Sequence, residues 1–341
     1  MCTRLRRLVV LCSLVIFACG LFGASFSSTA HASSGAGTTS FFTFTNFAGS
    51  RPFAVYTPVN YQLSEVVPLV VVLHGCLQTP ADIAAGTQMN QLADQKRFIV
   101  VYPQQTAFFN SSECWNWFLP IDQARGNGEP SIIAGITQSV EQSTSLWTIN
   151  SHRVYVTGIS AGAAMSVIMG ATYPDIYAAI GVHSGTEYQA STSAFTAASV
   201  LSFGGPSPTQ QGQAAFNAMG SRARVVPTIV FHGDSDTVVN PVNGDQVVQQ
   251  WMKTDSLASG GSFNASFSSP SSTVNGQVTG GHSFTVRKWN DNNGNEVEEY
   301  WVVHGMGHAW SGGSSAGSFT DPQGPSATQA MYSFFVNHPK P

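Results

Sequence analysis

Residues 153–164, which read RVYVTGISAGAA, decide the fold. Val154 to Thr157 has the pattern of a short apolar strand, and the small residues from Ala161 to about Thr172 have that of a helix. Between them, GISAG (158–162) matches G-x-S-x-G, the tight strand-to-helix turn that presents a nucleophilic serine hydroxyl above a sheet. Glycines flank the serine because side chains would clash at such a turn. We predict that Ser160 is a nucleophile on an α/β-hydrolase fold.

A second match to the same motif, GSSAG at 313–317, shows that the motif alone is not specific. Its serine, Ser315, has no strand pattern before it and no helix pattern after it. Glycine, serine and alanine surround it instead. We therefore predict a loop at Ser315 and retain Ser160 as the nucleophile.

Strand and helix patterns alternate along the rest of the chain, which is typical of a mostly parallel sheet flanked by helices. The continuous apolar run Leu69 to Leu73 indicates a strand buried on both faces. Further strand patterns lie at 41–56 (a pair turning at Gly49-Ser50), 98–102, 178–183, 225–231, 284–289 and 297–303, and helix patterns at 88–96, 131–147, 242–252 and 329–337. Residues 185–220 have weak periodicity, and 256–281 read as a loop. Without a linker or repeat, we predict one α/β-hydrolase catalytic domain over 41–341.

The first 32 residues have the pattern of a secretory signal peptide. Three arginines precede an apolar run at 8–22, and small residues end in an A-x-A cleavage site at 30–32. The run is short for a membrane span. A lipid-anchored Cys19 is the alternative, which bulky Phe17 disfavours. We expect a secreted, extracellular protein, with residues 33–40 poorly ordered at the start of the mature chain.

Removal of this leader changes the cysteine and charge counts. Of five cysteines only Cys76 and Cys114 remain, and two cysteines in an exported chain predict one disulfide. Two buried free thiols are the alternative. Without the three leader arginines, 11 Lys and Arg residues stand against 18 Asp and Glu residues, a net charge of about −7. We therefore expect neither nucleic acid nor an anionic membrane as a partner.

The acid and the base should follow the nucleophile in that order, each in a loop after a later strand. VFHGDSD (230–236) places two acids beyond a strand. We prefer Asp236 over Asp234, because the acid closer to the strand more readily accepts hydrogen bonds from loop amides. His308 lies four residues beyond His304, in a glycine-containing loop that can carry an imidazole over the serine. We therefore predict His308 as the base.

The other histidines fit the role of base less well by position. His304 still belongs to the last strand. His282 precedes a strand, which would put it at the wrong edge of the sheet. The remaining candidates are His183 and His232, with His152 and His338 less favoured.

A tetrahedral intermediate needs two backbone N–H donors, one of them from the residue after the nucleophile. That residue is Ala161. The second donor should come from the HGC loop (74–76) after the strand at 69–73, and we select the N–H of Cys76. A Cys76–Cys114 bridge would hold this loop against CWNW (114–117). We expect the disulfide both to stabilise the domain and to preorganise the oxyanion hole.

These segments together resemble the polyhydroxybutyrate depolymerase-like esterases, which also include feruloyl and acetylxylan esterases. The likeness extends from about Arg51 to His338. It rests on PLVVVLHGCLQ (68–78), YPQQ (102–105), CWNWF (114–118), RGNGE (125–129), RVYVTGISAG (153–162), HGDSDTV (232–238) and GHAW (307–310). The resemblance implies the triad Ser160, Asp236 and His308 and the oxyanion donors Cys76 and Ala161. Ser311 departs from the family, where proline is frequent.

The resemblance implies hydrolysis of carboxylic esters through an acyl-enzyme on Ser160, with no metal and no cofactor. The expected substrate is an aliphatic polyester of the polyhydroxybutyrate type or its oligomers. Feruloyl or acetylxylan esters of plant polysaccharide are the alternative. The three tryptophans Trp115, Trp117 and Trp310 are candidates for an apolar cleft wall, with ordinary core aromatics as the other interpretation.

Other expectations concern partners and competing functions. We expect a monomer whose partner is an ester, soluble or part of an insoluble polymer. Many polymer-degrading members carry a linker and a separate binding domain, which are not found before Pro341, so we expect weak attack on crystalline polymer. An aminopeptidase-like peptidase is the third enzyme candidate, but nothing obvious in the sequence supplies the acidic cluster that would hold a substrate amine. A catalytically inactive binding protein on a hydrolase fold is the alternative from another class.

Overall fold

The computed structural model describes residues 35–341, so the predicted leader at 1–32 lies outside the described residues. The strands are β1 (Thr38–Asn46), β2 (Gly49–Thr57), β3 (Val66–Leu73), β4 (Ile99–Pro103), β5 (Thr148–Ile159), β6 (Ala179–His183), β7 (Thr228–Gly233), β8 (Ser272–Gln277), β9 (Ser283–Asn290), β10 (Glu296–Val303), β11 (Trp310–Ser311) and β12 (Thr320–Asp321). The helices are α1 (Pro80–Thr87), α2 (Met89–Lys96), α3 (Gly128–Gln142), α4 (Ala161–Thr172), α5 (Ala194–Phe203), α6 (Pro208–Met219), α7 (Val242–Ala258) and α8 (Ala327–Asn337).

The central feature is a 10-stranded sheet with the order β1-β2-β4-β3-β5-β6-β7-β10-β9-β8. From β4 to β10 in this order neighbouring strands run parallel. The two strands on each flank are antiparallel to their neighbours. The mostly parallel sheet predicted from the sequence is therefore confirmed. The carboxyl ends of its parallel strands meet at one edge, where ligands bind in folds of this type.

Helices cover both faces of the sheet, which explains the unbroken apolar runs in its central strands. Val71 and Val156 point to one face and pack in a core with residues of α3, α4 and α7. Val70 and Tyr155 point to the other face, which α1, α2 and α8 cover. Side chains that alternate between two apolar layers leave no polar position in β3 or β4.

Several boundaries differ from those predicted. Residues 185–220 contain α5 and α6, and 256–281 contain the end of α7 and β8. α5 was missed because it is rich in Ala and Ser and buries only Ala197 and Val200, too few for an apolar stripe. The expectation of poor order is wrong for residues 38–40, which pair with β2. The first hairpin turns at 47–48, two residues before the predicted turn.

None of the helices within residues 35–341 combines the length and the apolar character that crossing a bilayer requires.

Candidate active site

The candidate nucleophile Ser160 lies between the last residue of β5 and the first residue of α4. Its backbone has φ 57° and ψ −122°, a conformation that costs a non-glycine residue free energy. The turn is packed against the end of β3: a Cβ on Gly158 would lie 2.5 Å from the carbonyl oxygen of Leu73. The predicted strand-turn-helix context is thus confirmed, whereas Ser315 lies in an exposed loop.

The candidate acid and base are hydrogen-bonded to each other. His308 Nδ1 lies 2.7 Å from Asp236 Oδ2, and the two side chains are 7% and 0% exposed. Asp236 Oδ1 also accepts the backbone N–H groups of Val238 and Val239, each at 2.9 Å. Burial opposes ionisation of Asp236, but hydrogen bonds from His232, His308 and these amides outweigh it and lower its pKa. A charged Asp236 holds the proton on His308 Nδ1, which leaves Nε2 to accept a proton.

His183 connects the nucleophile to the loop of the base. Its carbonyl oxygen accepts the N–H of Ser160 at 3.0 Å, and its Nε2 accepts the N–H of Ser311 at 3.0 Å. Both segments therefore lie at the carboxyl edge of the sheet. Among residues 35–341 no hydrogen bond joins Ser160 Oγ to His308 Nε2, a contact that in many hydrolases tightens only when substrate binds.

The competing acid Asp234 has different partners. It lies 2.8 Å from His304 Nδ1 and accepts the N–H of Gly305 at 2.7 Å. These contacts confirm the prediction that Asp234 accepts from loop amides. His282 pairs with Asp321 at 2.9 Å. Its predicted position at the wrong edge is wrong, because β9 is antiparallel to β10 and so begins where β10 ends.

The two buried histidines near the site already use the nitrogen that a base would need. His183 Nε2 accepts from Ser311 as described, and burial lowers the pKa of His183. His232 Nε2 contacts the carbonyl oxygen of Val239 at 2.8 Å and lies 3.5 Å from Asp236 Oδ2. Both rings therefore have a structural role at the site: each is held by a backbone group of a loop that borders it.

The two segments predicted to form the oxyanion hole are in contact. Ala161 begins α4, so its N–H has no acceptor within the helix. A Cβ on Gly162 would lie 2.6 Å from the carbonyl oxygen of His74, at the start of the loop that carries Cys76. Cys76 and Cys114 form the predicted disulfide.

The predicted cleft wall of three tryptophans is wrong. Trp115, Trp117 and Trp310 are 0%, 5% and 1% exposed. Trp115 and Trp117 belong to the core on the α3 and α4 face. Trp310 stacks on His183 with 5.1 Å between ring centroids and donates its Nε1–H to Thr328. These rings are core side chains, as the alternative interpretation has it.

A groove of about 870 Å³ lies away from these residues. It is lined by Arg224, Pro227, Lys288, Glu296 and Trp301 among others. Pro227 precedes β7 and Glu296 begins β10, so the groove lies at the amino edge of the sheet, opposite the candidate site. Within residues 35–341 no group of three or more His, Cys, Asp or Glu is placed to hold a metal ion.

Comparison with known proteins gives a consistent result. Residues 51–266 match the family described as esterase PHB depolymerase. Poly(3-hydroxyalkanoate) depolymerase C of Paucimonas lemoignei is 36% identical over 245 residues, 71% of this chain and 54% of that protein. Acetylxylan esterase A of Talaromyces purpureogenus is 32% identical over 238 residues, 64% of this chain and 56% of that protein. The chain thus spans about half the length of these relatives.

Among solved structures, the acetyl xylan esterase from Aspergillus awamori superimposes with a TM-score of 0.66 at 23% identity. The match covers 87% of this chain and 99% of that chain. At this identity the likeness shows a shared fold.

Proposed function

Since this chain belongs to the esterase PHB depolymerase family, we propose that it hydrolyses carboxylic esters through an acyl-enzyme on Ser160. One observation carries the proposal: a buried, hydrogen-bonded Asp236–His308 pair lies at the same sheet edge as the strained Ser160. Nucleophile, acid and base, in that order along the chain, are the machinery of α/β-hydrolases.

The proposed reaction begins with attack of Ser160 Oγ on the ester carbonyl carbon while His308 Nε2 takes the serine proton. The N–H groups of Ala161 and Cys76 would bind the oxyanion that forms. The imidazolium then returns the proton to the departing alcohol. Water, activated by the same nitrogen, attacks the acyl-enzyme and releases the acid. Asp236 remains charged throughout and stabilises the imidazolium.

We propose that the substrate is an aliphatic polyester of hydroxyacids or its oligomers, because the 36% identical relative is named a poly(3-hydroxyalkanoate) depolymerase. Esters of plant polysaccharide are the second candidate, since a 32% identical relative is named an acetylxylan esterase. Secretion and a monomeric state belong to the same proposal; the pattern at 1–32 supports secretion.

The test is labelling by a fluorophosphonate probe, which forms a covalent bond with an activated serine. The parent protein should be labelled, and Ser160→Ala should not. Ser315→Ala is the matched control, because it alters the serine of the second G-x-S-x-G match in an exposed loop. Labelling that survives in Ser160→Ala, or its absence from the parent, would refute the proposed nucleophile.

Substrate class is decided by a panel of hydroxybutyrate oligomers and film, acetylated xylan, methyl ferulate and short p-nitrophenyl esters. Hydroxybutyrate oligomers should have the highest kcat/KM. A higher value on acetylated xylan would overturn the polyester assignment and leave the esterase mechanism intact.

A further inference from the structure

His74 is a buried histidine at the start of the proposed oxyanion loop. It takes part in no step of the proposed reaction. It follows the last residue of β3 and is 0% exposed. The N–H of Gln105 donates to its Nε2 at 3.0 Å, and its Nδ1 lies 2.7 Å from the carbonyl oxygen of Gly75. Because Nε2 accepts, the ring proton is on Nδ1 and donates to Gly75.

This tautomer is stable across the working range of an esterase. Burial lowers the pKa of His74 to about 4, although its hydrogen bond to Gly75 acts in the opposite direction. The ring is therefore neutral at pH 5 and above. The bond to the Gly75 carbonyl oxygen is a fixed feature of the folded enzyme and does not depend on pH in that range.

Because the peptide unit is planar, the hydrogen bond between His74 and the Gly75 carbonyl oxygen also fixes the direction of the Cys76 N–H. The carbonyl of Gly75 and the N–H of Cys76 share one peptide unit, and in a trans unit they point in opposite directions. Residues 35–341 contain no cis peptide bond. A carbonyl held toward His74 therefore keeps the Cys76 N–H directed away from His74. Gly75 faces the nucleophile turn, because a Cβ there would lie 3.4 Å from the carbonyl oxygen of Ile159.

We propose that His74 is a positioning residue that keeps the Cys76 N–H directed at the developing oxyanion. The inference rests on the proposed esterase function. Without the Nδ1–H donor, the Gly75 carbonyl oxygen keeps only the longer hydrogen bond from the N–H of Gln78, at 3.4 Å. A peptide that then rotates would present a carbonyl oxygen where the site needs a donor.

Gln105 supports the same loop from a second direction. Its side-chain Nε2 donates to the carbonyl oxygen of Cys114, the disulfide partner of Cys76, at 3.0 Å, and also to Glu129. Its Oε1 accepts from Arg51 Nε at 2.8 Å, and Arg51 pairs with Glu129 at 3.4 Å. One residue thus sets the His74 tautomer through its backbone and anchors the disulfide through its side chain.

The experiment compares three substitutions of His74 that differ in hydrogen-bonding reach. His74→Asn places an amide near the position of Nδ1, so it can still donate to Gly75. His74→Gln places its amide near the position of Nε2, and His74→Ala has neither. kcat and KM are measured on a p-nitrophenyl ester after active-site titration, together with the affinity for a trifluoromethyl ketone that forms a tetrahedral oxyanion adduct.

We expect His74→Ala and His74→Gln to lower kcat about 10²- to 10³-fold, the cost of one lost oxyanion donor. KM should change little, ketone affinity should fall in parallel with kcat, and His74→Asn should recover most of both. If the Ala variant does not fold, the Asn and Gln pair decides. Equal kcat in Asn and Gln variants, or an unchanged ketone affinity, would overturn the inference. Activity that persists in Ser160→Ala would instead refute the esterase mechanism.

Discussion

Asp234 and Asp236 are two residues apart, yet their surroundings give them different roles. Asp234 is exposed and caps the loop after β10 through Gly305 and His304. Asp236 is buried and accepts three hydrogen bonds, from two backbone amides and from His308, while His232 Nε2 lies 3.5 Å from Oδ2. A carboxylate with that set of donors stays charged, as the orientation of a catalytic histidine requires.

Substitution of the two acids should therefore have unequal effects. Asp236→Asn should lower kcat about 10⁴-fold, because the amide no longer favours the imidazole tautomer that the reaction needs. KM should stay within a few-fold. Asp234→Asn is the matched control and should retain most of the activity. Steady-state kinetics on a soluble ester measure both, and a larger loss in the Asp234 variant would exchange the roles assigned to the two acids.

Glu187 is a buried acid after β6 whose two carboxyl oxygens have no hydrogen-bond partner among residues 35–341. It is 3% exposed, and burial raises its pKa to about 9. The folded protein therefore keeps a proton that the unfolded chain loses above about pH 4.3. Between these two values the contribution of Glu187 to the free energy of unfolding falls as the pH rises.

Glu187→Gln removes this titration. The free energy of unfolding of the parent should fall with pH more steeply than that of the variant, by up to about 1.4 kcal/mol per pH unit between pH 5 and 8. Urea unfolding at several pH values measures the difference. Parallel pH profiles for the two proteins would show that Glu187 is ionised in the folded state.

At the scale of elements, the end of β3 supports three features at once. Leu73 packs against the nucleophile turn, His74 holds the Gly75 peptide, and Cys76 ties the loop to Cys114. The disulfide spans 38 residues of sequence, which corresponds to about 4 kcal/mol in a chain-entropy estimate. The same bond fixes the backbone that carries a proposed oxyanion donor.

Loss of the disulfide should therefore impair activity before it unfolds the domain. In the double variant Cys76→Ser and Cys114→Ser both backbone N–H groups remain, but we expect kcat to fall about tenfold or more because the loop is less well positioned. Activity and tryptophan fluorescence are followed together during heating. Loss of both signals at one temperature, with unchanged kcat at 25 °C, would contradict a preorganising role.

Some elements were predictable and others were not, for physical reasons. β3, β4 and β6 lie between two helical layers, so both faces of each strand are buried. Their sequences are therefore nearly continuous apolar runs, which can be recognised as strands. α5 contacts the core through few residues, so it left little periodicity. β8 is almost wholly exposed and polar, which made it look like a loop.

The site was predictable to the same extent. The triad of Ser160, Asp236 and His308 stays a prediction, drawn from strand ends and chain order, which local sequence patterns indicate. The bond between Arg51 and Glu129 joins residues 78 positions apart, and no local pattern indicates such a pair. The tautomer of His74 likewise depends on a backbone amide contributed by another strand's loop.

At the scale of the whole molecule, large apolar side chains are exposed on the helix beside the candidate site. Phe195 and Phe203 on α5 are 93% and 82% exposed. α5 adjoins the segment after Asp236, because the carbonyl oxygen of Leu201 accepts the N–H of Asn240 at 2.8 Å. Exposed aromatics at such a place suit contact with an apolar surface.

The double substitution Phe195→Ser and Phe203→Ser should lower adsorption to a polyester film about tenfold or more, because each phenylalanine would bury apolar surface there. kcat/KM on a soluble p-nitrophenyl ester should stay within about twofold. Leu146→Ser, an exposed apolar residue before β5 at the opposite edge, is the control. Equal adsorption by all three proteins would show that α5 does not contact the polymer.

The left-handed backbone at position 160 has a consequence for attempts to make this protein more resistant to heat. Glycine would relax that conformation, but it would delete the hydroxyl of the proposed nucleophile. The backbone strain at position 160 therefore cannot be relieved by glycine without loss of the proposed nucleophile. Gains in heat resistance have to come from positions whose side chains take no part in the proposed reaction, such as Glu187, the buried lone acid after β6.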